Sequence, residues 1–307
     1  MAEEKKRREK LYDDAFATLV EEYPQILIPA INEVFHTLYS ENEKVTLYRN
    51  EHHEKDGEII TDVYAGIKES FYHIECQSKE DDTMELRMLR YDFAIAWKNA
   101  EWEDGYCEVQ FPKSCVLYLR SSESTPDELS VKLILQDGQT AYYKVPIVKL
   151  KDYSKEEIFR KNLMLFLPFY SMRYEDAIKK KRTEELECLY AETDKILSVL
   201  ERYRAKAEKK GVYYTVDELF RKINRRISER NIECQERMDE IMGGHVLELE
   251  SIKILHQGID VGDARRLLSS VNGVMDKFGI SLEEACDAIG VTLEQYEAAK
   301  ELVGEQK

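Results

Sequence analysis

No apolar run in the 307 residues approaches the ~20 a membrane-spanning helix needs, so no membrane association is expected. The charged opening, residues 1–10, is not followed by an apolar stretch, and no signal peptide is expected. The six cysteines (Cys76, Cys107, Cys115, Cys188, Cys234, Cys286) contain no CxxC pair. That spacing argues against a zinc site or a disulfide scaffold and for reduced thiols in a cytoplasmic protein. Gly243-Gly244 has no GK[ST] after it, so it is not a phosphate loop. No solenoid-type repeat recurs. Basic charge is scarce: 45 Lys and Arg stand against 61 Asp and Glu, a net charge of −16. Any nucleic-acid contact would therefore need a local basic face. What is present suffices for a core. Hydrophobic residues make up 43% and charged ones 35%, near globular averages, and the length allows one large domain or two of roughly 150 residues.

The apolar periodicity predicts helix over residues 10–40, through Ala15, Leu19, Ile26, Ile28, Ile31, Val34, Phe35 and Leu38, with interruptions near Pro24 and Pro29. From Val45, Leu47 and Tyr48 the period turns β-like, and β-branched and aromatic residues dominate 59–77. Helix returns over 84–100. Strands are expected at 114–120, 130–136 and 141–148, with a turn at Asp137-Gly138 between the last two. Beyond residue 150 the pattern is helical. Ser154-Lys155-Glu156-Glu157 fits a capping box, followed by an apolar helix over 158–170 and a long amphipathic one over 174–210. Further helices are expected to open at Thr215, Ser281 and Thr292. The expected organisation is an α/β core over 1–150 and a helical extension over 151–307.

The chemistry-bearing stretch runs from Ile60 to Gln77. A hairpin turning at Lys68-Glu69 sets Ile67 opposite Ser70 and Asp62 opposite Glu75. Asp62, Tyr64, His73, Glu75 and Gln77 then share one face. Val63, Ala65, Ile67, Tyr72, Ile74 and Cys76 form the apolar, core-facing one. Carboxylates directly opposite each other, with β-carbons about 5 Å apart, repel. A shared proton or a cation would offset this, and carboxylate oxygens plus water suit Mg²⁺ or Mn²⁺. A three-residue turn would instead put the two acids on opposite faces. An ordinary hairpin with one solvated polar face also has this spacing.

Thr61-Asp62, Tyr72-His73-Ile74-Glu75-Cys76-Gln77-Ser78, Met84, Arg87-Met88, Tyr91-Asp92 and Ile95-Ala96 together resemble the PD-(D/E)XK nuclease superfamily, and within it the Rpn-like group of recombination-promoting nucleases and transposase-like proteins. The resemblance reaches upstream to Asp13-Asp14-Ala15-Phe16 and downstream through Val116–Arg120, Val145-Pro146 and Leu165–Phe169, roughly residues 10–180. It implies a restriction-endonuclease-like core (helix, mixed sheet, helix) with a metal-dependent DNA endonuclease activity. Asp62 and Glu75 would hold Mg²⁺, with Mn²⁺ as a substitute. Gln77 stands where many members carry a catalytic lysine, and offers an amide in place of a point charge. Asp13, with Asp14 as competitor, matches an acidic position on the first helix. Arg87 or Arg90 could supply charge to a phosphate, and His73 could touch substrate or solvent. The other reading is a catalytically silent module of the same fold that binds protein or self-associates.

Remaining features carry two readings each. Adjacent His52 and His53 point to opposite faces of a strand and read as surface residues. His245 and His256 match no ligand pattern. Tyr170, Tyr174, Tyr190, Tyr203, Tyr213 and Tyr214 could stack bases but fit helix packing better. Residues 202–230 hold 10 basic and 4 acidic side chains, either a DNA-backbone contact or a solvated helix face. The last helices resemble a helix-turn-helix in outline, yet Glu294, Glu297 and Glu301 on the second favour packing, including a homodimer through the C-terminal region.

Overall fold

The computed structural model describes residues 2–48, 51–54, 57–60, 62–206, 210–244, 268–272, 274–275, 281–289, 296 and 300. It forms two compact units, Met1–Ile241 and Met242–Lys307. The chain turns from strands to helices near residue 150, as expected, but the first unit packs strands and helices together up to Ile241.

The first unit is α/β. Helix α1 (Ala2–Glu22), a 3-10 turn at Pro24–Ile26 and α2 (Leu27–Phe35) precede the strands. Pro24 opens the 3-10 turn, and Pro29 sits within the first turn of α2, where its missing N–H costs no helix bond. The helix ends at Phe35 because His36 takes a left-handed conformation, φ 53°. Leu38, expected on the apolar helix face, lies past that end and is exposed.

Strand β1 is Thr46–Leu47, β2 Glu51–Glu54, β3 Gly57–Ile60, β4 Val63–Ile67 and β5 Ser70–Gln77. After α3 (Met84–Lys98) come β6 (Glu101–Glu103), β7 (Tyr106–Glu108), β8 (Lys113–Tyr118), β9 (Glu128–Ile134) and β10 (Thr140–Lys149). One mixed sheet has the order β1-β4-β5-β8-β10-β9. β5, β8 and β10 run parallel and the outer pairs antiparallel. Parallel neighbours need a crossover, and α3 supplies it between β5 and β8. The β2–β3 and β6–β7 pairs are separate ribbons. The expected hairpin register holds: Ile67 pairs with Ser70 and Val63 with Ile74. Lys68 takes the positive φ, 53°, that so tight a turn requires. Gly66 allows the Tyr48 ring to lie flat on β4, since a β-carbon there would meet the Tyr48 hydroxyl at 2.8 Å. The turn at Asp137-Gly138 is also formed, with Gly138 at φ 85°.

Both faces of the sheet are covered. On one, Met84 and Met88 of α3 pack with Val116, Tyr118, Leu129 and Val145, each fully buried side chain contributing about 2 kcal/mol. On the other, Tyr72 meets Phe35 at 5.3 Å between ring centroids, and its hydroxyl lies 2.8 Å from that of Tyr39.

After β10 come α4 (Lys155–Arg160), a 3-10 stretch at Leu167–Tyr174, α5 (Glu175–Lys180), α6 (Thr183–Lys206), α7 (Lys210–Ser228) and α8 (Ile232–Gly244). The Ser154 capping box forms, with the Glu157 N–H donating to Ser154 Oγ and the Ser154 N–H to Glu157 Oε2. The apolar helix expected over 158–170 is instead broken. Asn162 is left-handed (φ 54°), and the buried run from Leu163 to Phe166 is a chain of turns. Lys181, at φ 51°, likewise breaks the long helix expected over 174–210. Thr215 does not open a helix, because α7 begins one turn earlier, and its hydroxyl lies 3.2 Å from that of Tyr23. Tyr170 and Tyr174 donate to Glu192, and Tyr203 stacks on Phe159, so these tyrosines pack helices.

In the second unit α9 (Leu282–Ile289) follows Ser281, and Val271, Ala285, Cys286 and Tyr296 form a small core. The Thr292 capping box, His245, His256 and the side chains of His52 and His53 lie outside the described residues. So do Glu294, Glu297 and Glu301 and most of the segment considered for self-association. Among the described residues no helix is long and apolar enough to cross a membrane.

Candidate functional site

Asp62 lies just before β4, at a bend, and Glu75 sits in the middle of β5. The hairpin brings them together through the backbone as well as the side chains. The Asp62 N–H donates to Glu75 Oε1 at 3.1 Å, and the Cys76 N–H donates to Asp62 Oδ2 at 2.8 Å. Each acid is thus anchored by the other's strand.

The two form part of a cleft of about 730 Å³ at the C-terminal end of β5, lined also by Asp13, Cys76, Gln77 and the 78–83 loop, with Arg87 of α3. In open α/β sheets, ligand sites commonly form at the carboxyl ends of strands. Asp13 reaches the cleft from α1, whereas Asp14 is not part of its lining. Arg120 ties these parts together. Its guanidinium donates to the Ser78 carbonyl, the Tyr12 hydroxyl and both oxygens of Glu175. Asp81 starts α3, accepting from the Thr83 N–H at 2.9 Å, and holds Arg87 at 2.6 Å. Arg87 also lies 3.9 Å from Glu75 Oε2. Arg90 is exposed on α3 and does not line the cleft. Gln77 donates through Nε2 to Glu75 Oε2 at 3.4 Å.

The charge balance is one-sided. Asp13, Asp62, Glu75, Glu80, Asp81 and Asp82 line the cleft against Lys79 and Arg87. Burial, and then the neighbouring Glu75, push the Asp62 carboxyl up from 3.8 to about 7, with Asp13 adding to the effect. Burial and the same carboxylates raise the Cys76 thiol well above its ordinary value. That shift favours the neutral thiol over the thiolate.

The polar face of the hairpin is largely covered, unlike that of an ordinary hairpin with one solvated face. Tyr64, His73 and Glu75 are all buried, because α3 and the sheet close over them. His73 consequently touches neither solvent nor the cleft, which corrects its assignment to substrate. Its Nε2 donates to Glu75 Oε1 at 3.0 Å and its Nδ1 to Asp92 Oδ1 at 2.5 Å. A carboxylate at each nitrogen favours the imidazolium form of the ring. Burial alone would lower its pKa, but the bonds to Asp92 and Glu75 prevail and push it up to about 9. Tyr143 of β10 donates to the other oxygen of Asp92 at 2.5 Å. Asp92 had two signals in the sequence: it belongs to the Tyr91-Asp92 pair that carries the resemblance, and it is a carboxylate four residues beyond Met88 on the apolar stripe of α3. Tyr143 had none.

The basic segment over 202–230 is not a continuous exposed face. Arg204 and Arg221 are buried, both bonded to Asp217. Arg225 and Arg226 pair with Asp239 and Glu229.

The cleft's donors are oxygens, the set a hard dication such as Mg²⁺ or Mn²⁺ prefers. Among the described residues no three His, Cys, Asp or Glu side chains group closely enough to cage a metal unaided. Mg²⁺ asks for less, since it is commonly held by one or two carboxylates, waters and substrate phosphates. The residues fit that mode. No protein-family model, curated protein or solved structure matches this chain.

Proposed function

We propose that the chain is a metal-dependent DNA endonuclease of the PD-(D/E)XK kind, nearest in character to the Rpn-like group that acts in recombination or on mobile elements. The observation that carries this reading is the cross-anchored pair: Asp62 and Glu75, each hydrogen-bonded to the other's strand, in a cleft at the end of β5 where acids outnumber cations. The two carboxylates crowd each other's charge, and His73 behind Glu75 offsets this only in part, so a cation in the cleft would be favourable. Asp62 and Glu75 would hold Mg²⁺, or Mn²⁺ in its place, and Asp13 would add negative charge from α1. When bound, the ion would polarise a phosphoryl oxygen and acidify a water for attack. Arg87, oriented by Asp81, would donate to a phosphate oxygen and offset its charge. Gln77 would hold a hydrogen-bonding position beside Glu75, giving an amide where a lysine would give a charge.

A second reading is a silent nuclease fold acting through protein partners or a second copy of itself. Gln77, whose amide carries no charge and is spent on Glu75, favours it.

Plasmid nicking by the purified protein in Mg²⁺, Mn²⁺ and EDTA separates the two. Metal-dependent nicking that disappears in Glu75→Ala supports the nuclease. A folded protein that nicks with neither metal, and gains nicking on Gln77→Lys, would establish the silent module.

A further inference from the structure

Behind Glu75 lies a row of buried groups that the proposed chemistry does not use. Glu75, His73 and Asp92 are each no more than 1% exposed. Glu75 Oε1 accepts from the Asp62 N–H and from His73 Nε2. His73 uses its second nitrogen on Asp92 Oδ1, and Asp92 uses its second oxygen on the Tyr143 hydroxyl. The row spans three elements, from β5 through α3 to β10. Neither His73, Asp92 nor Tyr143 lines the cleft.

Burying two carboxylates and an imidazole costs far more than burying apolar side chains of the same volume, unless every hydrogen bond is made. Here each partner is oriented by the next. The arrangement has a directional consequence. One oxygen of Glu75 is tied by two donors on the interior side. Among the described residues, the other meets the Gln77 amide at 3.4 Å and the more distant Arg87. A glutamate held at one oxygen cannot swing between rotamers, so its second oxygen is presented in one place.

We propose that His73, oriented by Asp92 and Tyr143, is a positioning residue that locks Glu75 with its second oxygen free to bind a divalent cation, and thereby sets the site's metal affinity. This inference rests on the reading of Asp62 and Glu75 as metal ligands. Outer partners that orient ligands commonly change metal affinity by about 10- to 100-fold when removed.

The test is a Mn²⁺ titration of the full chain, followed by electron paramagnetic resonance, with thermal unfolding of each variant alongside. The variants are His73→Leu, His73→Gln, Asp92→Asn and Tyr143→Phe. His73→Leu is expected to weaken Mn²⁺ binding by about 10- to 100-fold. His73→Gln, which restores a donor toward Glu75, should recover part of the loss. Tyr143→Phe keeps the ring in place and removes only the far end of the row, so it serves if His73→Leu does not fold. Its affinity should fall measurably with little change in unfolding temperature. Mn²⁺ binding by the parent chain with unchanged affinity in Tyr143→Phe, Asp92→Asn and every folded His73 variant would overturn the inference alone. Absence of Mn²⁺ binding by the parent chain would overturn the metal-site reading, and the inference with it.

Discussion

Two charge clusters in the first unit are built on different plans. In the helical part, Asp217 stands between two arginines, with Arg204 Nη1 at 2.6 Å and Arg221 Nε at 2.9 Å. All three are buried, and Arg204 also lies over the Tyr214 ring. At the end of β5, six acids line a cleft with two cations, and Asp62 and Glu75 face each other directly. The first cluster gives each oxygen of its single carboxylate a guanidinium from its own chain. The second leaves an excess of carboxylate in a concave, partly wet place. A buried carboxylate matched by cations of its own chain reads as a structural device, whereas carboxylates that outnumber the cations around them in a cleft read as a place for a ligand of the opposite sign.

That contrast can be broken in several ways. The largest effect belongs to the cleft: Asp62→Ala and Glu75→Ala should each lower metal-dependent cleavage by about 10³-fold, the value of a metal's several kcal/mol, with circular dichroism unchanged. Full activity in both variants would end the nuclease assignment. In the helical cluster the effect should fall on stability. Asp217→Ala strands two buried guanidinium groups and should cost about 3–5 kcal/mol in urea unfolding, with Mn²⁺ affinity unaltered. Arg87→Ala should slow cleavage by about 10²-fold, and Arg90→Ala should change it little, which a side-by-side nicking time course would read.

The smallest effect is in pH dependence. The Asp62 carboxyl binds its proton more tightly when folded, at about 7, than at its ordinary 3.8. The unfolded chain therefore releases that proton first, and the metal-free fold loses stability as pH rises from 3.8 to about 7. Asp62→Asn removes this loss. In EDTA its stability relative to the parent should rise between pH 4 and 8 by on the order of 1 kcal/mol, discounted because Asp62 is half-buried and screened. His73 acts in the next window: its contribution is complete below 6.5 and is lost as pH rises through about 9. A flat difference curve for Asp62→Asn would show that the two acids do not crowd each other.

The local features were legible in the sequence because they depend on near neighbours. The hairpin register follows from a two-residue turn and strict alternation, and the Ser154 capping box from four consecutive residues. Breaks at Asn162 and Lys181 were not legible, since no glycine or proline marks them and residue type alone does not announce the left-handed conformation both adopt. The covered polar face was missed for a related reason. Alternation separates two faces of a strand, but it does not say whether a helix lies over the polar one. Asp92 was half-legible, an acid on an otherwise apolar helix stripe, whereas Tyr143 lies 51 residues from its partner.

From sequence alone came the opposition of Asp62 to Glu75 and the α/β order of elements, both consequences of short-range periodicity. Only the tertiary structure decided that Asp13 rather than Asp14, and Arg87 rather than Arg90, line the same cleft, that His73 faces inward, and that two arginines of the basic segment are buried on Asp217. Those choices depend on how helices distant in sequence seat against the sheet, where one residue's shift along a helix turns a side chain by about 100°.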